Sequence, residues 1–246
     1  MKIANGIEAL DLTVNMMGRQ SALHPTLIWD DNEVILVDTG IPGQLEKIRK
    51  AVTSAGASFD KLNKVILTHQ DIDHIGSLPE ILKGAGRKIE VLAHEEDKPY
   101  IEGDKPLIKM NPERMAKMLE SLPEEQRQKI QTMFGARRSA KVDTTITDGE
   151  VLPYCGGMTV IFTPGHTPGH ISLYHQKSKT LIAGDALVAA DGALLPPSPR
   201  TTLDMTTALQ SIKKFTKYDI DTVICYHGGV FKENVNKRLA ELADTQ

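Results

Sequence analysis

The sequence predicts an α/β fold with its chemistry gathered where strands end. Two observations predict it. Short apolar segments rich in β-branched residues, such as Lys64-Val65-Ile66-Leu67 and Ile89-Glu90-Val91-Leu92-Ala93, alternate with segments of helical spacing, as βαβ-type units require. Strand after strand then runs out into a metal-ligating residue type: His69, His166, Asp185 and His227. Ligand sites in open α/β sheets gather outside the carboxyl ends of the strands.

Taken in order, residues 6–14 alternate loosely and read as a strand. Met16-Met17-Gly18 opens a loop that reaches Pro25. Thr26-Leu27-Ile28-Trp29 and Glu33-Val34-Ile35-Leu36-Val37 make a hairpin around Asp30-Asp31-Asn32. The second of these strands ends in Asp38. A carboxylate there needs a partner, either as a cap of the next turn or as a support that orients a metal ligand. Residues 42–55 carry Leu45, Ile48 and Val52 at helical spacing, with Gly56 as a stop. After the strand at 64–67, residues 74–82 return to helical spacing. Another strand, 89–93, ends at His94-Glu95-Glu96-Asp97.

Residues 95–142 differ in character, being charged, Met-rich and helical. Helices are expected at 112–119 and 123–134, each with a proline near its start. Met115, Met118, Leu119, Ile130, Met133 and Phe134 could share one face. The stretch reads as an insertion in a single domain spanning 1–246. It is either a helical hairpin packed on the core, a lid over substrate, or a contact in a homodimer. Strands follow at 150–154, 158–162, 171–175, 180–183 and 221–226, with a helix at 204–215 N-capped by Asp204 and a closing helix at 231–242.

The densest cluster is Thr68-His69-Gln70-Asp71-Ile72-Asp73-His74, with four metal-ligating side chains within six residues. It lies on a tight turn between a strand end and a helix start. His69 and Asp71 can point one way off that turn, while Asp73 and His74 serve a second point. Imidazole and carboxylate are ordinary ligands for zinc and its neighbours. Downstream, Thr163-Pro164-Gly165-His166-Thr167-Pro168-Gly169-His170 is a loop stiffened by proline and sharpened by glycine, which presents His166 at a strand end.

This motif order, from Asp38-Thr39-Gly40 through Thr-His-x-Asp-x-Asp-His, the Thr-Pro-Gly-His repeat and Gly184-Asp185 to His227-Gly228, resembles the metallo-β-lactamase superfamily of metallohydrolases over about the whole chain. The resemblance implies a four-layer αβ/βα sandwich, with two mixed sheets face to face, helices outside and metals at one edge. It implies two divalent cations, zinc first, with His69, Asp71 and His166 at one, Asp73, His74 and His227 at the other, and Asp185 bridging. Asp71 departs from most of the family, which has histidine there, although a variant subgroup carries aspartate. An added carboxylate makes the site more negative and harder, which favours Mn²⁺ or Fe²⁺ beside Zn²⁺. The implied chemistry is hydrolysis by a shared, acidified water, with Asp73 also orienting it and taking its proton. His170 and His94 are expected to support the ligands through hydrogen bonds.

Glyoxalase-II-like thioesterases and quorum-quenching lactonases resemble the chain most in motif and length, so an ester-type carbonyl substrate, a lactone or thioester, is expected. A phosphodiester, gripped by Arg137-Arg138 or Arg200, and a non-hydrolytic metal-binding or redox role are the alternatives. Composition agrees with a small-molecule substrate. Hydrophobic residues make up 40% of 246, enough for a sizeable core. Net charge is −3 and aromatics are 4%, without the basic stripe or stacking platform of a nucleic-acid binder. No run has the length of a membrane span, no secretory signal is visible at the start, and the two cysteines, Cys155 and Cys225, form no motif; a cytoplasmic, membrane-free protein is expected.

Overall fold

The computed structural model describes residues 1–246 except 17–18, 111–115, 117–118, 121, 125–126, 129–138 and 245–246. Two mixed sheets form its frame. The first runs in the order β1 (Lys2–Ala4), β2 (Ile7–Ala9), β5 (Thr26–Trp29), β6 (Val34–Val37), β7 (Lys64–Ile66), β8 (Glu90–Ala93) and β9 (Thr144–Thr145). The second runs β10 (Val151–Leu152), β11 (Met158–Phe162), β12 (Ile171–His175), β13 (Thr180–Gly184), β16 (Thr222–Cys225) and β17 (Gly229–Phe231). Two hairpins stand apart, β3 (Leu12–Met16) with β4 (Arg19–Leu23), and β14 (Val188–Ala190) with β15 (Ala193–Leu195).

Alternation along the strands builds the layers, because successive side chains point to opposite faces. In β6, Ile35 and Val37 face the second sheet, while Val34 and Leu36 face the helices. In β16, Ile224 faces the first sheet, while Val223 and Cys225 face the other way. The inner core is therefore Ile28, Ile35, Ile66 and Leu92 from one sheet against Val160, Leu173, Ile182 and Ile224 from the other. Helices α1 (Leu45–Ser54) and α3 (Leu78–Gly84) cover the outer face of the first sheet through Ile48, Val52, Leu78 and Ile81. Helices α5 (Met205–Ile212) and α6 (Val235–Asp244) cover the second through Ile212, Leu239 and Leu242. This is a four-layer α/β sandwich with sheets inside and helices outside.

Chain direction positions the site. Strands β6, β7 and β8 are parallel, so their carboxyl ends share one edge. Strands β13 and β16 are also parallel. The two edges are tied by Ile171 N–H donating to the Thr68 carbonyl at 2.9 Å.

Several expected elements differ. The loop expected from Met16 to Pro25 contains β4, which pairs antiparallel with β3. Its polar sequence hid it, since its hydrogen bonds come from a partner strand rather than from local propensity. The helix expected at 74–82 starts earlier as α2 (Ile72–Ile75) and restarts as α3, because Pro79 has no N–H to continue a helix and suits a first turn instead. The closing helix begins at Val235, since Gly229–Phe231 is a strand and Asn234, at φ 46°, turns the chain. Asp204 caps as expected, accepting from Thr207 N–H at 3.0 Å. In the insertion, α4 (Lys98–Ile101) and a 3-10 turn, Ile108–Met110, are described. Most of the two helices expected at 112–119 and 123–134 lies outside the described residues, as do Met115, Met118, Ile130, Met133, Phe134 and Arg137-Arg138. Among the described residues no helix is long and apolar enough to cross a membrane.

Ile28 is fully buried between the sheets and away from the strand ends that carry the ligands. Replacing it with alanine should lower stability by about 2–5 kcal/mol through lost transfer energy and a residual cavity. Urea unfolding of Ile28→Ala after chelator treatment measures this, and the folded fraction should keep its metal-binding capacity.

Candidate metal centre

Four candidate ligands stand near strand ends, and three more sit at the start of helix α2. His69 leaves β7, the turn before β12 holds His166, Asp185 follows β13 directly, and His227 follows β16. Asp71 sits at the N-cap position of α2 with extended backbone, yet its side chain makes no cap hydrogen bond. It faces the site instead. The short α2 then turns Asp73 and His74 towards a second point.

Three overlapping ligand groups result among the described residues: His69, Asp71 and His166 at one end, Asp73, His74 and His227 at the other, and His69, His74 and Asp185 between them. Asp71 Oδ2 lies 3.2 Å from His69 Nε2 and 3.0 Å from His166 Nε2. Asp73 Oδ2 lies 3.3 Å from His227 Nε2 and 4.0 Å from His74 Nε2. Asp185 touches both end groups: Oδ2 is 3.2 Å from His166 Nε2 and 3.4 Å from His227 Nε2, and Oδ1 is 3.3 Å from His74 Nε2. His69 Nε2, His74 Nε2 and Asp185 Oδ1 are buried without a hydrogen-bond partner. Buried polar atoms are rarely left so. Three such atoms converging from imidazole and carboxylate fit a divalent cation by position and by donor type.

The surrounding network fixes which nitrogen each imidazole offers. Asp38 accepts from the Thr68 N–H and hydroxyl, both at 2.8 Å, and its Oδ2 lies 2.8 Å from His74 Nδ1. That assigns the His74 proton to Nδ1 and leaves Nε2 for a cation. Thr68 Oγ1, whose own proton goes to Asp38, lies 3.0 Å from His69 Nδ1 and assigns His69 the same tautomer. Asp38 holds this position at φ 64°, a left-handed conformation that aspartate tolerates better than most residues. His170 Nε2 accepts from the Asp185 N–H at 3.0 Å and its Nδ1 faces Thr163 Oγ1 at 2.8 Å. It therefore holds Asp185 rather than a cation, and burial and the nearby His166 keep its pKa down at about 3, so it stays neutral. The structure does not bring His94 to the site. Its ring stacks on Phe162 at 4.2 Å and its Nδ1 accepts from Glu96 N–H, because the chain turns away there into α4.

Three contributors escaped the sequence. Asp97 accepts from Gln70 N–H (2.9 Å), Gln70 Nε2 (3.1 Å), Thr167 Oγ1 (2.8 Å) and Gly169 N–H (2.9 Å), so it stitches the two ligand loops together. Tyr226 stacks on His74 with ring centres 3.7 Å apart, and its hydroxyl donates to the Asp73 carbonyl. Lys109, from the 3-10 turn, forms an ion pair with Asp71 and lies 2.8 Å from His166 Nε2. Only contacts distant in sequence reveal them. The other histidines are in core contacts, His24 Nδ1 facing the Leu10 carbonyl and His175 Nε2 that of Cys155.

The charges compensate one another. Burial works against ionising Asp71, Asp73 and Asp185, but the imidazoles around them outweigh it and hold all three carboxyls below the usual range. Burial likewise opposes protonation of His74, His166 and His227; the neighbouring carboxylates prevail and raise all three, His227 to about 10. His69 goes the other way, lowered by burial and by the adjacent His74.

At pH 7 His74 and His227, the one raised well above its usual value and the other to about 10, carry protons when no metal is bound, and a cation binds only the neutral ring. Metal uptake should therefore release more than one proton per chain, and affinity should rise with pH up to about 10, where His227 is half neutral. A pH-stat titration with zinc checks the release. Separately, Asp97→Ala should strip four donors of their shared acceptor and cost about 3 kcal/mol or more. Thermal melts of the metal-free variant, with metal content after gel filtration, should show both a lower Tm and poorer metal retention.

Known proteins resemble the chain in sequence and in fold. The sequence model of the metallo-beta-lactamase superfamily matches residues 24–227. The probable metallo-hydrolase YflN of Bacillus subtilis is 30% identical over 229 residues, covering 87% of this chain and 83% of its own. Hydroxyacylglutathione hydrolase GloC of Haemophilus influenzae is 26% identical over 170 residues, covering 66% of this chain and 65% of its own. Among solved structures, a metallo-beta-lactamase family protein from Thermus thermophilus superposes with a TM-score of 0.74 at 22% identity, over 98% of this chain and 79% of that one, a likeness of fold. The chain thus belongs to the metallo-beta-lactamase superfamily and is one of its metal-dependent hydrolases.

Proposed function

We propose that this chain hydrolyses a small-molecule ester-type carbonyl substrate, a lactone or a thioester, with a dinuclear centre. His69, Asp71 and His166 would hold one divalent cation and Asp73, His74 and His227 the other, with Asp185 reaching both. The observation that carries this reading is the Asp185 carboxylate, which faces imidazoles of both groups at 3.2–3.4 Å while His69 Nε2 and His74 Nε2 stay unpartnered. When bound, zinc, manganese or iron(II) would supply Lewis acidity to a carbonyl and acidify water.

The chain's own residues do the rest. Asp73 is held ionised, and its backbone is pinned by the Tyr226 hydroxyl, so its carboxylate keeps a fixed direction. It is placed to orient an attacking water and accept its proton. His170 fixes the Asp185 backbone and Asp38 fixes the His74 ring, so neither ligand has to reorganise during turnover. The thioester side of the reading is supported by the GloC relative, a hydroxyacylglutathione hydrolase.

The test is a hydrolysis panel of lactones, an acyl thioester and a phosphodiester, run on protein reconstituted with zinc and separately with manganese. A carbonyl substrate should turn over, and His69→Ala should be inactive. Asp73→Asn should lose about 10²–10⁴-fold in turnover with its fold intact. Near-normal turnover in Asp73→Asn would remove Asp73 from the proton role. Activity on the phosphodiester alone would overturn the ester reading.

A further inference from the structure

Lys109 occupies an unexpected place. It is carried on the 3-10 turn Ile108–Met110, after α4, 38 residues from Asp71 in sequence. The turn is docked on the ligand loop, with Ile108 N–H donating to Gln70 Oε1 at 2.9 Å, and Gln70 is itself held by Asp97. From there the Lys109 ammonium pairs with Asp71 Oδ2 and stands 2.8 Å from His166 Nε2. These two atoms face each other at 3.0 Å within one candidate ligand group. The pair is largely enclosed, with side-chain exposures of 17% and 12%. Among the described residues no lysine or arginine forms an ion pair with Asp73 or Asp185, so the other group is counterbalanced by its own histidines.

We propose that Lys109 is a tethered cation that neutralises the His69–Asp71–His166 group while metal is absent, and that a metal ion enters this group only by displacing it. The inference rests on the two-cation reading above and adds its regulation. An ammonium and a divalent cation cannot share Asp71 Oδ2 and His166 Nε2, since like charges at that range repel strongly in a buried site. Because the lysine is anchored through its own turn and Gln70, it competes from a high effective concentration and returns whenever the metal leaves. The group it guards should therefore bind metal more weakly than it would with the ammonium removed. Loading should also swing the Lys109 side chain away from Asp71, so metal occupancy is coupled to the 3-10 turn that carries it.

The experiment uses the full chain stripped with chelator and titrated with Zn²⁺ or Mn²⁺ against a chromophoric competitor, alongside thermal melts of the metal-free protein. Wild type should take up two equivalents in two steps. Lys109→Met should tighten one of the two steps by about tenfold and lower the metal-free Tm, since Asp71 loses its ammonium partner. Lys109→Gln is a second neutral variant with a polar end, and should behave alike. Lys109→Arg, which keeps the charge, should restore the wild-type step and the Tm. Unchanged steps in both neutral variants, or weaker uptake by them, would overturn the tethered cation and leave the two-cation reading standing. No metal uptake by any of the proteins would overturn both.

Discussion

A carboxylate enclosed by three imidazoles sets the terms for the rest of the molecule. Asp185 is buried, and an isolated buried carboxylate is costly unless positive partners surround it. Its partners come from three separate stretches: His74 from the edge of the first sheet, and His166 and His227 from the second. Satisfying that one side chain requires both sheets to end at the same place. The backbone of Asp185 is fixed as firmly as its side chain. Gly184 before it has φ +55°, and a Cβ there would come within 2.8 Å of His170 Nε2 and 3.1 Å of Thr68 Cβ. Glycine is required by conformation and by space together. Gly184, Asp185 and His170 form one unit in which neither substitution nor rotation is tolerated.

The sandwich supplies the rigidity this demands. Parallel strands bring their ends to one edge, and the inner core of branched aliphatic side chains holds the two sheets in fixed relation. Loops would otherwise be free to spread the like charges they carry. Two buried aspartates prevent it. Asp38 ties the β6 end to Thr68 and His74, while Asp97 ties the loop of His69 to the loop of His166. Neither belongs to the candidate ligand groups; both convert a ring of loops into a stiff frame.

The frame also explains how so many charged groups coexist away from water. Carboxylates and imidazoles alternate through the site, each lowering the cost of its neighbour. Compensation stays incomplete at the unpartnered His69 Nε2, His74 Nε2 and Asp185 Oδ1. These atoms mark where the protein alone does not satisfy its own interior. Their donor types belong to metal sites rather than to water-filled cavities lined by hydroxyls.

What the sequence determined by itself was the alternation of strands and helices and the candidate ligands, while the four layers came only with the family resemblance. The unbroken apolar run Val34–Val37 encodes a strand buried on both faces. His69, Asp71, Asp73 and His74 are neighbours in the chain, and His166, Asp185 and His227 each stand just past a strand. Local spacing and strand ends are enough to read such residues, because their chemistry and their placement are both local. Tertiary structure alone decided the rest. Asp97 is one more acid after a strand end until Gln70, Thr167 and Gly169 converge on it. Lys109 is one charge among many until a docked turn aims it at Asp71. His94, at a strand end like the ligands, faces Phe162 because the chain beyond it folds away. The hairpin partner β4 becomes a strand only through β3. In each case the deciding contact is one that local sequence pattern does not carry, and the free energy that fixes it comes from packing, pairing and burial.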